Sequence, residues 1–197
     1  MILEGVVTSQ NALGELNVAP MGPIVEPDMQ RFVLRPFQTS TTYRNLKHHP
    51  FGVLHVVDDV LLLARAAIGQ LAETPRTFSA LRIPGRVLSS SCRWYEFRVD
   101  SIDDSEQRTR IEASVEHAGR LRDCFGFNRA KHAVIEAAIL ATRIHLLTAE
   151  DILNQFEKLR SPVEKTAGPD ELTAFELLDE FVREQLAAKT QTVEGDE

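Results

Sequence analysis

From Ala130 to Leu147 the chain carries five alanines and neither glycine nor proline. Such a run reads as a helix, because alanine loses least on becoming helical and nothing here breaks the hydrogen-bond ladder. Before it, the signals have period two. Ile2–Ser9 is rich in Val and Ile, Arg31–Arg35 alternates charge with Phe32 and Leu34, and Phe51–Val57 is almost wholly apolar. Trp94–Val99 and Arg110–His117 complete the set, with Asp103-Asp104-Ser105 as the turn between them. Strands therefore fill the first two thirds and helices the last third. That segregation predicts an α+β fold and excludes a βαβ alternation. A barrel and a curled sheet both satisfy the pattern.

Local signals refine the reading. Leu16–Ala19 is expected to return against the first strand, with Gly14 in the turn and Pro20, Gly22 and Pro23 breaking regularity. A short helix is expected over Thr42–His49, closed by Pro50, and another from an Asp58 or Asp59 cap through Val60–Gln70. Thr148-Ala149-Glu150-Asp151 resembles a capping box for a helix running to Arg160, with Pro162 as the stop. Gly168-Pro169-Asp170 opens a last helix with an apolar stripe of Leu172, Phe175, Leu178, Val182 and Leu186. A boundary near Phe127 divides the chain into 1–127 and 128–197.

The net charge of −7 argues against nonspecific nucleic-acid binding, which needs clustered Lys and Arg on phosphates. No apolar run approaches the roughly 20 residues needed to span a bilayer, so no membrane partner is expected. The N-terminus shows no basic stretch followed by an apolar run, which predicts no signal peptide. Cys92 and Cys124 match no Cys-x-x-Cys pattern, so a reduced, cytoplasmic protein is expected. No metal site is expected: His48-His49 is adjacent, and His132 with Glu136 lacks a third ligand. Neither a Gly-x-Gly-x-x-Gly nor a Walker A pattern occurs.

Three segments combine chemistry in one place. Asn17-Val18-Ala19-Pro20-Met21-Gly22 offers an amide for a planar heterocycle and small residues for close backbone approach, or is only a strand ending in a turn. Arg35, Thr39, Ser40, Thr41, Thr42, Arg44 and Asn45 supply a guanidinium, hydroxyls and a helix start, the parts a phosphate monoester needs. A Thr/Ser-rich helix cap is the competing reading. Gly119–Arg129 places arginines, two Phe and Asn128 before the long helix, as an anion or flat-ring site or as a pinned linker. No general acid emerges, although Tyr43, His55 and His132 are candidates.

These residues resemble the flavin reductase-like FMN-binding split β-barrel superfamily and, within it, an archaeal and bacterial domain-of-unknown-function family. The resemblance rests on Glu4-Gly5-Val6-Val7-Thr8, Asn17–Pro23, Thr42-Tyr43-Arg44-Asn45 and Phe125–Ala133. It implies a split β-barrel with a C-terminal helical extension, a homodimer, and FMN as cofactor. The isoalloxazine would lie along Asn17–Gly22 and the phosphate on Arg35, Thr41, Thr42 and Asn45; Thr39, Ser40, Asn128 and Arg129 extend that set. The implied activity is an FMN-dependent oxidoreductase acting on an unidentified small molecule. A flavin-storing protein and a split-barrel interaction scaffold are the alternatives.

Overall fold

The computed structural model describes residues 1–71, 73–124, 126 and 128–194, with side chains to residue 189. The chain forms two compact units. The first comprises Met1–Asp58 and Ala72–Cys124, the second Asp59–Leu71 and Phe125–Glu197.

The first unit is built on a curled antiparallel sheet of seven strands, in the order β2-β1-β5-β8-β9-β4-β3. The strands are β1 (Gly5–Gln10), β2 (Leu16–Met21), β3 (Ile24–Val25), β4 (Arg31–Leu34), β5 (Phe51–Val56), β8 (Arg93–Asp103) and β9 (Arg110–Arg120). The sequence pattern counts about six. The additional strand, β3, has only two residues, too few to show alternation. The first strand starts at Gly5 rather than Ile2, which makes an isolated bridge to Ile24. β2 does not stop before Pro20: it continues to Met21, with Pro20 opposite Val6. The reason is position. β2 is an edge strand, where a residue without an N–H interrupts no second ladder.

One sheet face is apolar by alternation. Val7, Leu54 and Tyr95 sit in register across β1, β5 and β8, and Phe97, Phe32 and Ile111 continue the layer. Phe32 and Phe97 meet edge to face at 5.1 Å, the favourable arrangement for two aromatic quadrupoles. Helix α1 (Thr41–His48) buries Tyr43 and Leu46 in this layer.

The opposite face is covered by a hairpin the sequence did not announce, β6 (Thr77–Ser79) with β7 (Arg86–Leu88). Its segment is rich in Pro, Gly and Ser and too short for a period. Val87 and Ile83 pack on Val53 and Trp94, but polar groups pin it. Thr8 Oγ1 donates to the Arg86 carbonyl at 2.6 Å. Buried Glu96 accepts from the Leu81 and Arg82 amides and from the Trp94 indole N–H, at 2.8, 2.7 and 3.1 Å. Three donors are what a buried carboxylate requires.

The second unit is helical: α2 (Val60–Ala67), α3 (Arg129–Ala141), α4 (Ala149–Thr166) and α5 (Pro169–Glu194) around one apolar core. α2 is capped by Asp59, which accepts from the Leu62 amide. Helix α3 ends at Ala141, short of Leu147, because the Thr142 hydroxyl bonds back to the Ile139 carbonyl and a turn follows. α4 runs through Pro162 to Thr166 instead of stopping at Arg160. An interior proline costs about 3 kcal/mol. Burial of Val163 and the docking of Thr166 offset it: its hydroxyl accepts from the Ala130 amide and its carbonyl from Asn128. In α5 the expected stripe holds at Phe175, Leu178 and Val182, whereas Leu172 is exposed and Ala174 takes the buried position. Among the described residues no helix is long and apolar enough to cross a membrane.

Candidate functional site

The hairpin register sets Asn17 on the edge strand opposite Ser9 on β1, so the two side chains share a face. That face is the one α1 covers. Thr42 and Asn45 lie one turn apart on α1 and are both buried. The Asn17 amide donates to the Thr42 hydroxyl at 3.1 Å and to Ser9 Oγ at 3.4 Å. Asn45 donates to the same Ser9 oxygen at 3.1 Å. Ser9, 2% exposed, is therefore the hub of the cluster. It lies outside the segments the sequence singled out, and the only signal for it is a hydroxyl at the end of an apolar strand. Among the described residues neither asparagine's carbonyl oxygen accepts a hydrogen bond, which leaves two acceptors for a heterocycle's N–H groups.

The rest of the edge strand, Val18 to Met21, is half-buried. Gly22 follows it, and a Cβ there would meet Ile2 and a Glu4 carboxylate oxygen at 2.9 and 3.1 Å. Its smallness is thus required by its own neighbours.

The expected phosphate residues divide. Ser40 is the N-cap of α1, its hydroxyl accepting from the Tyr43 amide at 3.2 Å. Thr41 Oγ1 accepts from Arg44 at 3.1 Å, and Thr39 is exposed. No acidic side chain occupies the first turn of α1, so its unpaired backbone amides keep their preference for an anion. Arg35 precedes this turn. Its Nε is buried, and among the described residues no acceptor reaches it. A buried charged donor left without an acceptor is costly.

Two of the three acid–base candidates have structural roles. The Tyr43 hydroxyl donates to Asp104 at 2.5 Å and accepts from Lys47 at 2.9 Å. The Asp104 carboxylate and the Tyr43 hydroxyl hold the Lys47 ammonium above its ordinary value. His55 is fully buried between Val6 and Leu88. Its Nδ1 donates to the Val6 carbonyl, and its Nε2 accepts from the Leu88 amide, both at 3.0 Å. Burial pushes its pKa down to about 4, so the ring is neutral and pins the covering hairpin. His132 is exposed on α3. In the helical unit Asn128 caps α3, accepting from the Lys131 amide while donating to the Thr166 carbonyl. Arg129 is exposed at the first position of that helix. Phe125 and Phe127 lie outside the described residues.

A cleft of about 380 Å³ opens at the other end of the β8–β9 ladder. Arg93 and Tyr95 line it from β8, and Ala118 and Arg120 from β9. Met29, held at φ 56°, closes one side. Left-handed backbone at a bulky residue is strained, and such strain concentrates at binding sites.

The family model described as "Protein of unknown function (DUF447) N-terminal domain" matches residues 3–122, more than half of the chain. The chain belongs to the DUF447 family. A second model, "Protein of unknown function (DUF447)", matches residues 128–180 of the helical part. Among solved structures, an FMN-bound DUF447 protein from Methanosarcina mazei superposes with a TM-score of 0.79 at 24% identity, over 91% of this chain and 94% of that one. The 2-nitrobenzoate 2-nitroreductase of Pseudomonas fluorescens matches at 0.51 and 19% identity, over 60% and 64% of the two chains. An FMN-binding protein from Thermus thermophilus, crystallised with 1-cyclohex-2-enone, matches at 0.52 and 12% identity, over 60% and 70%. No curated protein matches the chain. The DUF447 chain therefore has the split-barrel fold of flavin reductase-like proteins, extended by helices.

Proposed function

We propose that this DUF447 protein binds FMN as a homodimer and works as an FMN-dependent oxidoreductase on a small molecule. The carrying observation is the buried Arg35 Nε without an acceptor, five residues before the Ser40 cap of a helix start free of acidic side chains. The donor set fits the group: a guanidinium and backbone amides suit a phosphate dianion, and the two asparagine carbonyls suit a ring with N–H donors. The fold shared with the FMN-bound protein of Methanosarcina mazei supports the same ligand.

In this reading Arg35, with Thr41 and Thr42 at the start of α1, holds the phosphate. Asn45, expected on the phosphate, shares Ser9 Oγ with Asn17; in this reading both asparagines orient the ring, and the half-buried Val18–Met21 strand lines it. FMN, when bound, supplies hydride chemistry that no side chain provides. The chain's own contribution is to bind, orient and exclude water. The cleft between Arg93, Tyr95 and Arg120 gives space for a second small molecule away from these residues. The free edge of β2 is suited to a partner copy.

Anaerobic mixing of the FMN-loaded protein with NADH or NADPH, followed by nitroaromatic and enone acceptors, tests turnover. Bleaching by a donor and recovery with an acceptor is the expected result. A flavin that no donor bleaches leaves the storage reading.

A further inference from the structure

Cys92 and Cys124, far apart in sequence, meet in the first unit. Cys92 is buried at the base of β8, where its amide donates to the Val56 carbonyl at 2.9 Å. Its own carbonyl accepts from the Leu121 amide at 3.0 Å and from the Arg122 amide at 3.3 Å. Those bonds fold the end of β9 back over it and deliver the exposed Cys124 beside it. Asp58, just after β5, completes the group: its carboxylate and the two sulfurs lie within 4.8 Å of one another.

We propose that Cys92 Sγ, Cys124 Sγ and the Asp58 carboxylate bind one soft divalent cation of the zinc class. Two sulfurs and a carboxylate are a donor set that zinc accepts, at about 2.3 Å to sulfur and 2.0–2.2 Å to oxygen. In a tetrahedron those lengths put donors roughly 3.6–3.8 Å apart, inside the 4.8 Å that bounds the three atoms here. The fourth position faces solvent on the Cys124 side, which also provides the entry path.

The surroundings match that occupant. Arg122 donates to both oxygens of Asp58 and to the Ser90 carbonyl at 3.0 Å. It orients the carboxylate as an outer-shell partner does. Charge balances as well: two thiolates and one carboxylate against a dication leave a single negative charge, which the Arg122 guanidinium offsets. Binding displaces one proton from each thiol and involves no oxidant or reductant. Thiols must lose their protons to bind the cation, so affinity rises with pH. The bound ion ties together three chain segments, at 58, 92 and 124. The proposal is independent of the flavin reading.

Full-length protein, stripped with a chelator and kept reduced by a phosphine, is titrated with Co(II) and then with Zn(II). The expected result is saturation at one equivalent with a thiolate-to-cobalt band, and tetrahedral bands in the red beyond oxidised flavin. Zinc should bleach both. Cys124→Ser changes an exposed residue and keeps the wild-type circular dichroism, yet should lose the thiolate intensity and weaken zinc by at least about tenfold. Asp58→Asn should weaken zinc while keeping the band. No thiolate band with folded wild-type protein, or equal zinc affinity in Cys124→Ser, overturns the site. So does oxidation of the two thiols to a disulfide in air that saturating zinc does not slow.

Discussion

The Asn17 amide reaches from the edge strand to the Thr42 hydroxyl at 3.1 Å, joining β2 to the first turn of α1. The contact ties a strand to the helix start that follows Arg35, so under the proposed FMN reading the ring and phosphate contacts are coupled through one hydrogen bond. A neutral hydrogen bond contributes about 0.5–1.5 kcal/mol net. Asn17→Ala should therefore weaken FMN by roughly three- to tenfold and change the unfolding midpoint little. Fluorescence titration of FMN, beside a denaturant curve, reads both.

Arg35→Ala separates phosphate recognition from ring recognition. Hydrogen bonds to charged groups are worth about 1.5–3 kcal/mol, so FMN should weaken by about 10- to 150-fold. Riboflavin, which lacks the phosphate, should bind as before. Equal losses for the two ligands would remove Arg35 from the phosphate site.

His55 makes stability depend on pH. Its folded pKa, about 4, is depressed below the unfolded value of 6.5 by burial. The neutral ring's contribution is complete above pH 6.5. It is lost as pH falls from 6.5 towards 4, because the unfolded chain takes up the proton first. The loss approaches about 3 kcal/mol. Urea midpoints measured from pH 7.5 to 4.5 should fall, and His55→Gln should flatten that part of the curve while lowering stability at neutral pH.

Gly119 lies opposite Trp94 on the β8–β9 ladder, and a Cβ there would fall 2.1 Å from the indole. Because Trp94 is itself fixed by Glu96, Gly119→Ala should cost about 1–3 kcal/mol, read as a lowered thermal midpoint. Gly69→Ala, with open space around it but φ +70, probes backbone conformation alone and should cost about 1 kcal/mol.

Much of this was visible in the residues themselves. β1, β5, β8 and β9 alternate over lengths that show a period, and α3 lacks any breaker. The β6–β7 hairpin did not show, because its anchors are Thr8, His55 and Glu96, polar side chains on distant strands. Pro162 misled for a similar reason: local propensity stops the helix, while tertiary docking of Thr166 carries it on. In the site, Asn17, Thr42 and Asn45 were marked by the family pattern. Ser9 has no such mark, since its role exists only once the register places it between two amides. The meeting of Cys92 with Cys124 depends on the chain folding back after β9, a long-range event with no spacing signature.

The measurement that bears most directly on the account is the visible spectrum of the purified protein, repeated after adding FMN and removing the excess. The account predicts flavin bands in stoichiometric proportion to chain, and quenched flavin fluorescence on titration. No retained flavin, together with no quenching up to high micromolar FMN, would contradict it.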